Sequence, residues 1–165
     1  MRKLLIIGVT TLLLSSTALA EDKTSTGFSA SSLYYGGKAG FMKPDGKDND
    51  SAINIAGVVG APIQRYLSWE AELGLTVKDG EVGAENDWDL FSVAGYAVYR
   101  SEGKVGVKAK MGVAYWDDPN DSDLSLSAGI GAGIRIGKKG IIDVEYTQIN
   151  DGVDFISAGY LYNFK

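Results

Sequence analysis

The 165-residue chain contains no cysteine, no histidine and only 3 prolines. Without cysteine there is no disulfide and no thiolate metal site. Without histidine the chain lacks the side chain best suited to proton transfer at neutral pH, and the imidazole ligand of many metal sites. Scarce proline beside 45% hydrophobic residues argues against a disordered or collagen-like chain. What is plentiful is glycine, at 22 residues. The length suits one domain with its own core.

The amino terminus has a basic start, Met1-Arg2-Lys3, then an apolar run over 4–14, then Ala18-Leu19-Ala20 before Glu21. A run this short spans a bilayer poorly, and A-x-A is a signal-peptidase site. Residues 1–20 are therefore expected to be a signal peptide cleaved after Ala20. Residues 21–32 are small, polar and aperiodic, a flexible lead-in. The remaining domain runs over 33–165.

From residue 33 the chain alternates with period two. In 124–136 the even positions are Leu124, Leu126, Ala128, Ile130, Ala132, Ile134 and Ile136, whereas the odd ones are serines, glycines and Arg135. The segments 69–77 and 105–116 behave alike, and weaker alternation marks 33–42, 52–60, 88–99, 141–149 and 153–164. Eight amphipathic strands predict an antiparallel up-and-down barrel.

The polar face decides which side is wet. It carries Gly74, Gly106, Gly112, Gly129, Gly131 and Gly133, a poor solvent surface but a good filling for a narrow lumen. It also carries Lys38, Lys108, Lys110 and Arg135 against Glu70, Glu72, Asp143 and Glu145, a neutral set. Neutrality suits a poorly hydrated interior, where a lone charge costs several kcal/mol. The reading is a transmembrane β-barrel, apolar outside. Tyr35, Phe41, Trp69, Trp88, Tyr115, Tyr146, Tyr162 and Phe164 fall toward strand ends, as interfacial girdles do. A soluble periplasmic lipid-binding barrel, apolar inside, is the alternative architecture.

The connectors differ in charge at the two ends. Segments 43–51, 78–89, 117–123 and 150–154 are acidic, whereas the opposite turns, with Arg65, Arg100, Glu102, Lys104, Lys138 and Lys139, are basic. An even strand count puts both termini at the basic end, the periplasmic one in bacterial barrels, and turns the acidic end outward.

The chain resembles the small eight-stranded outer-membrane β-barrel family, the OmpA-like transmembrane domains and opacity or porin-type small barrels. The resemblance rests on the opening strand Tyr34-Tyr35-Gly36-Gly37-Lys38-Ala39-Gly40, on Ala94-Gly95-Tyr96 and on the closing strand from Ile156 to Phe164. It implies location in the bacterial outer membrane, with outer-membrane lipid and lipopolysaccharide as surroundings. It also implies recognition by the barrel-assembly machinery through Ile156, Ala158, Tyr160, Tyr162 and Phe164, although Lys165 follows where the family ends on an aromatic. Enzymes of this class generally use a histidine, which this chain lacks.

The expectation is a non-enzymatic structural or surface-interaction barrel with a filled lumen, no cofactor and no nucleic-acid partner. A small porin-like solute channel is the alternative function. Asp117, Asp118, Asp121 and Asp123 offer oxygen ligands for weak divalent-cation binding, without the spacing of an EF-hand. Face parity also predicts the last two hairpins. A loop Lys138-Lys139-Gly140 puts Arg135 opposite Asp143 as a lumen ion pair, and a loop Asn150-Asp151-Gly152 puts Thr147 opposite Phe155, each with glycine in a left-handed third position.

Overall fold

A computed structural model describes residues 33–45, 50–82, 86–118 and 121–163. The expected signal peptide, the lead-in, Phe164 and Lys165 lie outside them. Ten strands follow in order: β1 Tyr34–Pro44, β2 Ala52–Pro62, β3 Leu67–Lys78, β4 Gly80–Val82, β5 Asn86–Trp88, β6 Phe91–Arg100, β7 Val105–Asp117, β8 Ser122–Ile136, β9 Gly140–Asn150 and β10 Val153–Asn163. Eight of them close an antiparallel barrel in the cyclic order β1-β10-β9-β8-β7-β6-β3-β2, and β4 with β5 forms a separate two-stranded hairpin. Each barrel strand has 10 to 15 residues. About 9–11 tilted residues cross a bilayer, so all are long enough.

The side-chain alternation separates two surfaces. Even-numbered residues on β1, β2, β3, β6 and β7, and odd-numbered ones on β8, β9 and β10, face the lumen. The opposite parity exposes Phe41, Ile55, Leu73, Val107, Met111, Leu126, Ile130, Val144 and Ile156 on the outer wall. Apolar outside and polar inside is the arrangement of a transmembrane barrel. It is the reverse of a soluble lipid carrier.

Glycine on the lumen face is a steric requirement at Gly112, where a Cβ would collide with the Gly95 carbonyl oxygen on β6. At the turn after β8 the requirement is conformational: Gly137 has φ 62°.

That turn corrects one expected register. The loop is Gly137-Lys138-Lys139, closed by Ile136 opposite Gly140. Arg135 therefore lies opposite Ile141, and Gly133 lies opposite Asp143. The left-handed glycine is the first loop residue, not the third. Gly140 stays in the strand, where a Cβ would lie 2.6 Å from the Tyr160 hydroxyl that covers it. The last hairpin keeps its expected register, with Phe155 opposite Thr147. Its tip is tighter than expected: Val153 pairs with Asn150 before the register shifts, and the Gly152 N–H donates to Asn150 Oδ1 at 2.8 Å. Gly152 is not left-handed.

Trp88 is the second correction. It ends the small β4–β5 hairpin and is 6% exposed, inside an apolar cluster, where the sequence placed it in an interfacial girdle.

Candidate functional site

The barrel brings seven of the eight expected lumen charges together. Lys38 comes from β1, Glu70 and Glu72 from β3, Lys108 and Lys110 from β7, and Asp143 and Glu145 from β9, all buried. In an eight-stranded circle β1 stands opposite β7, and β3 opposite β9. Lysines on one diameter thus alternate with glutamates on the other.

Four side chains close a ring across the lumen. Lys38 Nζ donates to Glu72 Oε1 at 2.7 Å and to Glu145 Oε1 at 2.7 Å. Lys110 Nζ reaches Glu72 Oε1 at 2.9 Å and Glu145 Oε1 at 2.7 Å. Thr147 Oγ1 donates to the same Glu145 oxygen at 2.8 Å. Lys110 also lies 4.0 Å from the centre of the Tyr96 ring, whose hydroxyl meets Ser127 Oγ at 3.0 Å.

A second tier adjoins the ring. Lys108 Nζ contacts Glu70 Oε2 at 2.7 Å and Glu145 Oε2 at 2.6 Å. Arg100 contacts Glu70 at 2.9 Å and Asp143 at 3.6 Å, and the Tyr34 hydroxyl donates to Glu70 at 2.8 Å. The balance is four cations and four anions, as expected, but with a different member: Arg100 replaces Arg135. Arg135 sits two residues out of the expected register, exposed near the turn end of β8. The charge pattern of the connectors places Arg100 in a turn. Its parity with Ser92, Ala94, Tyr96 and Val98 is the sequence signal that would have placed it inside.

Beyond this charged section, toward the long connectors, the lumen is apolar. Met42, Ile149, Val153 and Phe155 pack with Trp88 and Leu90, and Trp116 lies against them. Leu90 is drawn in by hydrogen bonds to the backbone and side chain of Thr76. Its N–H donates to Thr76 Oγ1 at 2.9 Å and its carbonyl accepts from the Thr76 N–H at 3.1 Å. The acidic connector thus turns back to plug the mouth.

Three of the aspartates at 117–123 serve the backbone of their own connector. Asp118 Oδ1 accepts from the Asp121 N–H at 2.7 Å, Asp121 Oδ1 from Ser122 at 2.8 Å and Asp123 Oδ1 from Leu124 at 2.7 Å. Among the described residues no group of three acidic side chains converges as a metal site. At the opposite end Arg65 pairs with Glu102 at 2.7 and 2.8 Å, and this hydrogen bonding holds the Glu102 carboxyl below its usual range. On the closing strand Ile156, Ala158 and Tyr160 face outward, and Tyr162 packs 5.8 Å from Tyr35.

Residues 8–164 match the outer membrane protein beta-barrel domain. The chain belongs to that family. Among solved structures, this barrel is similar to a de novo designed transmembrane β-barrel, with TM-score 0.55 and 18% identity over 79% of this chain and 92% of that one. Neisserial surface protein A gives TM-score 0.55 and 14% identity over 80% and 97%. The outer membrane enzyme PagL gives 0.51 and 17% over 78% and 98%. A designed barrel, a surface protein and an enzyme are matched about equally, so these likenesses carry the fold alone. No curated protein matches the chain.

Proposed function

We propose that this family member is a non-conducting scaffold of the bacterial outer membrane that presents its acidic connectors at the cell surface. The observation that carries the reading is the double closure of the lumen, by the Lys38–Glu72–Lys110–Glu145 ring and by the apolar plug around Trp88 and Leu90. An eight-stranded lumen filled by side chains leaves no aqueous path. A non-enzymatic role agrees with a chain that has no histidine and whose lumen carboxylates are committed to lysines and an arginine. Export through cleavage after Ala20 and assembly through the closing strand belong to the same proposal, as does contact of the outer loops with lipopolysaccharide.

The absence of cysteine makes the orientation directly testable. Asp121→Cys, in an acidic connector, is expected to react with a membrane-impermeant maleimide on intact cells. Lys138→Cys, in a turn at the other end, is expected to react only after the outer membrane is opened. Equal labelling of both on intact cells, or recovery of the protein in a detergent-free soluble fraction, would contradict the proposal.

A further inference from the structure

The turn end of the barrel holds a cavity of about 290 Å³, on the far side of the ion-pair ring from the apolar plug. Its floor includes Tyr34, Ser68 and Arg100, and its rim Arg65, Arg135, Lys138 and Lys139. Five of the lining residues are cationic and none is acidic. Two of the five are neutralised from behind or beside: Arg100 by Glu70 and Asp143, and Arg65 by Glu102. Arg135, Lys138 and Lys139 make no ion pair within 4 Å among the described residues; Glu102 feels the Arg135 charge from farther off, and Lys139 lies 5.8 Å from the Tyr162 ring. The contrast with the lumen is sharp, since every lumen cation there has a carboxylate.

We propose that this cup binds a small, multiply charged phosphate anion. Three cations with no ion pair among the described residues line a concave space at the lower end of the ~300–1,000 Å³ range of small-molecule pockets, too small for a folded partner. The lysines supply point charges on mobile stems, and Arg135 adds a guanidinium fork. Several cations around one small space suit a multiply charged oxyanion more than a singly charged carboxylate. The ring of buried ion pairs closes the cup from below, so an anion entering it is held and does not pass through. The phosphate could belong to a soluble compound or to a lipid headgroup reaching over the turns, and the chemistry of recognition is the same.

The test uses the full barrel in nanodiscs at low ionic strength, with inorganic pyrophosphate as the probe followed by calorimetry. In phosphatidylcholine discs, saturable binding of one pyrophosphate per barrel is expected. Lys138→Gln with Lys139→Gln should weaken it about tenfold or more. Lys43→Gln with Lys78→Gln, an equal charge change on exposed residues at the other end, should leave it within about twofold, the small effect of distant screened charge. In discs containing phosphatidylglycerol, pyrophosphate binding to the unaltered barrel that weakens more than in discs given the same surface charge by a fatty-acid carboxylate identifies the lipid headgroup as competitor for the cup. Equal binding in the two identifies a soluble ligand. Absence of saturable binding, or equal weakening by the two double variants, would overturn the proposal.

Discussion

Glu72 and Glu145 stand on diametrically opposed strands and share the same two lysines, Lys38 and Lys110, at 2.7–2.9 Å. Each lysine therefore needs both glutamates, and the ring braces the barrel across two perpendicular diameters. Removing one member strands a charge in a dry interior. Glu72→Gln is expected to cost about 3–5 kcal/mol, and Glu72→Gln combined with Lys110→Met less than the single change, because Lys38 and Glu145 remain as a neutral pair. Urea unfolding in lipid vesicles measures both, and a double variant less stable than the single one would refute the coupling.

The outer wall gives a prediction that separates a lipid-facing surface from a solvated one. Leu126, 81% exposed on β8, meets hydrocarbon if the barrel spans a membrane. Leu126→Arg is expected to cost up to about 2–4 kcal/mol, the midplane penalty of a charge in hydrocarbon, which falls toward the interfaces. The readout is unfolding free energy in vesicles. A substitution without effect would place this face in water.

The plug makes a third prediction. Leu90 is 1% exposed among Met42, Trp88 and Phe155. Leu90→Ala should cost about 2–5 kcal/mol through lost burial and the cavity left behind. It should also shift Trp fluorescence to the red as water reaches Trp88. An unchanged spectrum and stability would mean that the connector does not pack in the mouth.

Two glycines form a matched pair. A Cβ at Gly112 would strike the Gly95 carbonyl, whereas one at Gly57 meets nothing within 4 Å. Gly112→Ala is expected to destabilise by about 1–3 kcal/mol, and Gly57→Ala to be neutral or mildly stabilising. Heat-induced loss of the folded gel band ranks the two.

These features were unequally legible in the sequence. Period-two alternation fixes the face of every residue in a strand, so the eight strands, the outward Leu126 and the inward Lys38, Glu72, Lys110 and Glu145 could be read directly. Parity does not fix register. The offset of β8 against β9 depends on which glycine takes the left-handed position, and Gly137 does so while Gly140 lies under Tyr160. That slip of two residues moved Arg135 to the rim of the cup and left Asp143 to Arg100. Trp88 and Leu90 were harder still, because their burial follows from how a connector folds back through Thr76, a contact without periodic trace.

The claim that the lumen is sealed is tested most directly by conductance of the purified protein in planar lipid bilayers. A ring of buried ion pairs under an apolar plug predicts no steady conductance above that of the bare membrane. Reproducible, long-lived channels from the unaltered barrel would contradict the account and support a solute channel instead.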